Sequence, residues 1–262
     1  MKIAILGAAG RMGLTLVRCA QRFSGLQVSG AAECEGHAAL GADIGVLAGV
    51  KPLGVPLTSG WPGDADVVID FTFHAAVPAN MAQAVANGQA VVLGTTGLTE
   101  AEKECVDAAA QRVAVVWAPN YSLGVNLLLD LVQRAAAVLD VAYDAEVVEM
   151  HHRLKRDAPS GTALGLAEAV AAGRGVNLAD VAVYGREGIT GERPAGEIGV
   201  HALRGGDVVG DHTVIFAAEG ERVEITHKAS SREAFANGAL KAALWLKERK
   251  PGLYNMRDVL GL

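Results

Sequence analysis

The stretch "KIAILGAAGRMG", residues 2–13, decides the fold. "KIAIL" is a short apolar run without a helical period, and it reads as a strand buried on both faces of a parallel sheet. Gly7, Gly10 and Gly13 follow at once. Glycines tighten a strand-to-helix turn and let the backbone approach a pyrophosphate, whose charge the helix N-terminus favours. The spacing is G-x-x-G-x-x-G rather than the commoner G-x-G-x-x-G, so the motif alone is a weak signal. Its setting strengthens it. A helix over 11–23 places Met12, Leu16, Val17 and Ala20 on one face, and "LQVSGAAE" reads as a second strand ending at Glu33. Glu33 lies 20 residues beyond Gly13, where a carboxylate takes the adenosine ribose hydroxyls.

The same alternation continues. "ADVVIDFT" (65–72), "QAVVLGTTG" (89–97) and "VAVVWAPN" (113–120) read as strands, with helices at "AVPANMAQAVANG" and "TEAEKECVDAAAQ" between them. Strands alternating with helices predict an α/β, Rossmann-type doubly wound parallel sheet. Loops after its strands line the binding crevice, which adds "GTTG" (94–97) and "APNYS" (118–122) to the candidate cofactor site. After residue 122 the pattern changes. A long helix over 123–139, a strand over 144–152, a helix over 160–172 and three alternating segments from residue 196 predict a second, α+β domain with a mainly antiparallel sheet. A last helix spans 232–249.

The bulk composition narrows the function. The 262 residues are 51% hydrophobic and 20% charged, as in a globular chain with a sizeable core. A net charge of −6 argues against a nucleic-acid surface, so any anion site must be a local cationic pocket. Cys19, Cys34 and Cys105 have no paired spacing, which points to a reducing cytosol. No Cys/His cluster has metal-ligand spacing. Residues 71–99 lack Lys, Arg, Asp and Glu, but His74, Pro78 and Asn80 interrupt the run, so it is not read as a membrane span.

One stretch does hold such a pocket. "HHRLKRDAPSGTAL", residues 151–164, brings His151, His152, Lys155 and Arg156 to a turn in which Ser160 caps the next helix. On the preceding strand Val147, Glu149 and His151 share one face, and Glu146, Val148 and Met150 the other. A helix start at Gly161 and Thr162 beside Lys and His makes a carboxylate receptor. A Lys and a His close together also make proton donors, each easing deprotonation of the other. A hydride-delivering cofactor and a carboxylate site with a proton donor add up to a reductase acting on a C=N or conjugated bond.

With "DFT" (70–72), "GTTG", "APNYSLGVN", "YGREGITGER" and above all "EVVEMHHRLKRDAPSGTAL", the chain resembles the dihydrodipicolinate reductase (4-hydroxy-tetrahydrodipicolinate reductase) family of bacterial diaminopimelate and lysine synthesis, in unbroken order to residue 260. The resemblance implies a dinucleotide-binding domain over 1–122 and 237–262, and a substrate and tetramerisation domain over 123–236, with hinges near 122 and 232–236. It implies a cytoplasmic homotetramer acting on a small dicarboxylate. His151 falls on the catalytic acid/base position and Lys155 on that of the proton donor. His152, Lys155, Ser160, Gly161 and Thr162 fall on substrate-binding positions. Gly7, Ala8, Ala9, Gly10, Arg11, Met12, Glu33, Gly94, Thr95, Thr96, Ala118, Pro119, Asn120 and Tyr121 fall on cofactor contacts.

The chain departs from the family pattern twice. Cys34 stands where many members carry an Arg that binds the NADP 2′-phosphate, and Phe73 and His74 replace residues often Arg and Pro. With Glu33 repelling a 2′-phosphate and Arg11 able to accept one, NADH and NADPH are both open, with a tilt towards NADH. The competing reading is a Rossmann-based NAD(H)-binding redox sensor without turnover, which would not need the 151–162 constellation. An aspartate-semialdehyde dehydrogenase would need a cysteine in the central domain, and none lies there.

Overall fold

The computed structural model describes residues 1–262. It divides into two compact units, residues 1–123 with 232–261, and residues 124–231 with 262. The second crossing falls at 231/232, so residues 232–236 belong to the first unit rather than to the middle one.

The first unit begins with β1 (Lys2–Leu6), α1 (Arg11–Ala20), β2 (Gln27–Ala32), α2 (Ile44–Leu47) and β3 (Leu57–Thr58). It continues with β4 (Val67–Asp70), α3 (Val77–Ala86), β5 (Ala90–Leu93), α4 (Glu100–Ala110) and β6 (Ala114–Trp117). The second unit contains α5 (Leu123–Leu139) from its second residue on, β7 (Asp144–His151), α6 (Gly161–Arg174), α7 (Leu178–Val181), β8 (Ala182–Tyr184), β9 (Ile198–Arg204), β10 (Gly210–Ala218) and β11 (Glu221–Ala229). The chain then returns to the first unit as α8 (Glu233–Leu246), β12 (Gly252–Tyr254) and α9 (Met256–Leu260).

The first sheet has seven strands in the order β12-β6-β5-β4-β1-β2-β3, all parallel. Because side chains alternate along a strand, each strand serves both faces. Ile3, Ile5, Val67, Ile69, Val92 and Val116 pack with Leu16 and Val17 of α1 and with Ala239, Leu240 and Ala243 of α8. Val91, Leu93 and Val115 face the other way, against Val77 and Met81 of α3 and Val106 of α4. Apolar strands without alternation are the consequence, since both faces are covered. Each such fully buried Leu or Val contributes roughly 1.5–3 kcal/mol of apolar burial. Thr99 caps α4 and closes a capping box on it with Glu102.

Two features of this unit had no periodic signal. Residues 43–54 are held by Asp43, whose carboxylate accepts from the N–H groups of Gly45, Val46, Leu53 and Gly54. The three-residue edge strand β12 is too short to show alternation.

The second unit carries a five-stranded sheet in the order β11-β10-β7-β9-β8. The β7–β10–β11 half is antiparallel, as expected. The segment at 196–206 differs from its expected direction: β9 runs parallel to both β7 and β8, with α6 and α7 crossing over between β7 and β8 and the non-helical 185–197 loop leading from β8 to β9. The sheet is therefore mixed. Leu128, Val132 and Ala136 of α5 and Leu166, Ala167 and Val170 of α6 cover one face, over Val147, Val200, Val214 and Phe216.

Candidate active site

In the first unit, strand order reverses between β1 and β4, and a ligand crevice is expected outside their carboxyl ends. Two adjoining cavities of about 560 Å³ each open there, sharing Gly7, Gly10, Phe71, Thr72 and Phe73. Gly7 has φ +68, a left-handed conformation that side chains disfavour. A Cβ on Gly13 would lie 2.3 Å from the Gly7 carbonyl oxygen and 2.5 Å from the Ala8 Cα. The glycines thus bring α1 down onto the turn. Gly10 caps α1 without a side-chain hydrogen bond, and no acidic residue stands in the first turn. That leaves the positive end of the helix for an anion.

Glu33 stands at the rim of the first cavity, its carboxylate accepting from the N–H of Ala9 (3.3 Å) and of Cys34 (3.0 Å). No Lys or Arg lines this cavity. Arg11, Met12, Gly94, Thr95 and Thr96 line the second one, together with Arg232, which sequence reasoning missed. The cradle therefore fits a dinucleotide: a glycine turn under a helix start, cations beside it, and a carboxylate at the end of the second strand.

The 118–121 loop is built differently from the other cofactor positions. The Tyr121 side chain is buried, and its hydroxyl donates between the carbonyls of Leu93 (2.9 Å) and Val116 (2.8 Å). Burial pushes the phenol well above its ordinary pKa. Tyr121 thus fastens the loop, and Asn120 turns it by accepting from the Ser122 N–H at 2.8 Å. Asp70 is a second residue the sequence did not single out. Fully buried, it accepts from the Thr72 N–H (2.9 Å), the Thr72 hydroxyl (2.7 Å), the Thr95 hydroxyl (3.1 Å) and the Asn80 amide (2.9 Å). It joins the loops after β4 and β5.

In the second unit, the strand register gathers the other candidates at one end of the sheet. His151 ends β7 beside Arg204 of β9, and Glu149 pairs with His212 of β10. Burial alternates along β7 as expected, with Val147, Glu149 and His151 inward. Glu149 is wholly buried and is the residue that organises the cluster. His151 Nδ1 lies 2.5 Å from its Oε2. Arg204 donates to both its oxygens, at 2.8 and 3.0 Å, and the Ser160 N–H donates to Oε1 at 3.0 Å. Burial alone would raise the Glu149 carboxyl, but the bonds from Arg204, His151 and Ser160 prevail and hold it below the usual range.

Ser160 caps α6 through the Ala163 N–H at 3.2 Å, and its hydroxyl meets His212 Nε2 at 3.2 Å. His212 lies edge-on to His151 with ring centroids 5.1 Å apart. Desolvation first, then the neighbouring His151, lowers His212 to about 4. Its Nδ1 and that of His152 are buried without hydrogen-bond partners. Lys155 is paired with Asp157, at 2.8 and 2.9 Å. The expected mutual repulsion of Lys and His is therefore not what shapes the site, since each has its own carboxylate. Gly161 opens α6 with no atom near the position of an added Cβ. His151, Ser160 and the α6 start are thus brought together, with Lys155 and His152 on the loop between them.

A dinucleotide cradle in one unit and a carboxylate-anchored histidine beside a Ser-capped helix start in the other fit an oxidoreductase that uses NAD(P)H. Comparison with known proteins narrows the class. The model "Dihydrodipicolinate reductase, N-terminus" matches residues 1–121, and "Dihydrodipicolinate reductase, C-terminus" matches residues 124–260. A 4-hydroxy-tetrahydrodipicolinate reductase of Anaeromyxobacter dehalogenans (strain 2CP-C) is 55% identical over 265 residues, spanning 100% of this chain and 98% of its own. One from Magnetococcus marinus is 52% identical over the same shares. In fold, the chain matches a dipicolinate-bound dihydrodipicolinate reductase from Paenisporosarcina sp. TG-14 at TM-score 0.76, with 23% identity and 97% of each chain covered. The chain belongs to the dihydrodipicolinate reductase family.

Proposed function

We propose that the chain reduces 4-hydroxy-tetrahydrodipicolinate to tetrahydrodipicolinate in diaminopimelate and lysine synthesis. The observation that carries this reading is the carboxylate-anchored His151 beside the capped start of α6. NADH or NADPH, held by Gly7–Met12, Glu33 and the 94–96 and 118–121 loops, supplies the hydride when bound. The substrate carboxylates lie at Ser160, Gly161 and Thr162, with His152 and Lys155 as further partners, where a helix start favours negative charge. Glu149 accepts the Nδ1 hydrogen of His151, so Nε2 handles the proton. The Lys155 ammonium donates the proton that completes the reduction.

NADH is the preferred cofactor in this reading, because Glu33 lines a cavity that no Lys or Arg lines. A homotetramer is the proposed assembly. Val148, Met150, Leu203 and Ile215 lie half-buried or exposed on the sheet face that α5 and α6 leave uncovered.

The test is oxidation of NADH and NADPH followed by absorbance, with substrate generated from pyruvate and aspartate semialdehyde by the upstream synthase. Turnover with either cofactor is expected, faster with NADH. His151→Gln should lower kcat, and Lys155→Ala should lower kcat and weaken substrate binding. Full turnover in both variants overturns the site assignment. No turnover by folded protein that binds NADH favours the sensor reading instead.

A further inference from the structure

We propose that Glu149 is a positioning residue: it fixes which ring nitrogen of His151 carries the permanent hydrogen, and the same carboxylate ties that ring to the anion-binding start of α6. The inference rests on the proposed role of His151 in proton transfer.

The argument is a count of hydrogens at one buried carboxylate. Oε1 accepts from Arg204 and from the Ser160 N–H, both at 3.0 Å. Oε2 accepts from Arg204 at 2.8 Å and meets His151 Nδ1 at 2.5 Å. A guanidinium and a backbone amide only donate, so the carboxylate has the role of acceptor throughout. The hydrogen on the His151 side therefore sits on Nδ1, and Nε2 is the nitrogen that changes state. Room is kept there, because a Cβ on Gly210 would come within 3.0 Å of Nε2. The neighbouring ring does not compete for the carboxylate, since His212 is engaged with the Ser160 hydroxyl.

Arg204 has its own part in the arrangement. It also donates to the Asp157 carbonyl at 2.6 Å, so the guanidinium holds the 155–157 turn while Glu149 holds the ring. Sequence order alone does not reveal this, because Arg204 is 55 residues from Glu149.

The test uses full-length Glu149→Gln with 15N-labelled histidine, read by 15N NMR at a pH where the ring is neutral, alongside steady-state kinetics. The wild type should show His151 protonated on Nδ1. A Gln side chain presents both a donor and an acceptor, so the variant should lose that single tautomer. Its kcat should fall roughly 100-fold, the upper range for loss of an orienting partner, with the KM for NADH unchanged. Glu149→Asp, which keeps the charge, should recover part of kcat. Arg204→Gln disturbs the same buried pair but leaves the carboxylate, so it should keep the Nδ1 tautomer and raise the substrate KM. It also serves if Glu149→Gln does not fold.

The proposal is overturned by a folded Glu149→Gln that keeps both the Nδ1 tautomer and wild-type kcat. Loss of the tautomer in Arg204→Gln also overturns it. The NMR measurement needs no substrate, so failure of the wild type to turn over would sink the reductase reading while leaving the tautomer result to stand or fall alone.

Discussion

Gly13→Ala should damage both stability and cofactor binding, although alanine is the better helix former. The added methyl would lie 2.3 Å from the Gly7 carbonyl oxygen and 2.5 Å from both the Cα and the carbonyl oxygen of Ala8. All three are backbone atoms of the turn that forms the cradle, and none can rotate away. Restoring ordinary contact requires α1 to move off the turn by about 1 Å, an overpacking cost of about 1–3 kcal/mol. The helix-propensity gain of about 1 kcal/mol offsets only part of it. A 1 Å misplacement of a positioned group can cost roughly 100-fold in rate, so NADH binding and turnover should fall steeply. Gly165→Ala in α6 is the control. There the methyl meets only Leu129 Cδ2 at 3.7 Å, an ordinary contact. That variant should gain up to about 1 kcal/mol. Urea unfolding and NADH fluorescence titration measure both effects. If Gly13→Ala keeps its unfolding midpoint and its NADH affinity, the glycine is not there for close approach and the cradle argument fails.

Three further outcomes are expected. Cys34→Arg places a cation beside Glu33 at a cavity that no Lys or Arg lines, and should raise the NADPH/NADH ratio of kcat/KM about tenfold, or 1.4 kcal/mol; an unchanged ratio refutes it. Asp70→Asn turns one of its acceptor oxygens into a donor facing Thr72, Thr95 or Asn80, and should weaken NADH binding by about 1–3 kcal/mol in a fluorescence titration, with substrate-site variants unaffected. Burial lowers His212 from 6.5 to about 4. Above 6.5 both folded and unfolded forms are neutral; as pH falls towards 4 only the unfolded chain takes the proton, so about 3 kcal/mol of stability is lost across that window. In His212→Gln this component should vanish from urea unfolding midpoints measured between pH 7 and 4.

The parallel sheet was legible because its signals are local. Apolar runs and glycine turns each reside in a few consecutive residues. The β7 alternation was legible for the same reason, and it placed Glu149 and His151 on one face before any contact was visible. What the sequence did not reveal depends on partners distant along the chain. Arg204 reaches Glu149 from β9, Arg232 reaches the cradle from the turn before α8, and Asp43 gathers the N–H groups of an irregular loop. The direction of β9 was misread because alternation reports which face is buried, not which way a neighbouring strand runs. The parallel pairs depend on the crossover through α6 and α7 to the three-residue β8 and on the 185–197 loop that follows it, and neither β8 nor that loop carries a periodic pattern.

The two carboxylates of β7 show how far a period of two can be taken. Glu146 and Glu149 are three residues apart and therefore face opposite sides of the sheet. Glu146 accepts from Arg186, Arg193 and His201. Glu149 accepts from Arg204, Ser160 and His151. In each case burial opposes the charge and the donors overcome it, so both carboxyls are held low. Their surroundings separate their roles. The Glu146 partners lie in or beside the 186–197 loop, on the sheet face away from α5 and α6. Those of Glu149 include the His151 ring and the Ser160 N–H at the start of α6. A strand of alternating residues can thus build an ion-pair network on one face and a proton-handling site on the other, because each substitution is confined by the pleat to one side. Altering Glu146 should therefore disturb the loop and leave the His151 tautomer intact.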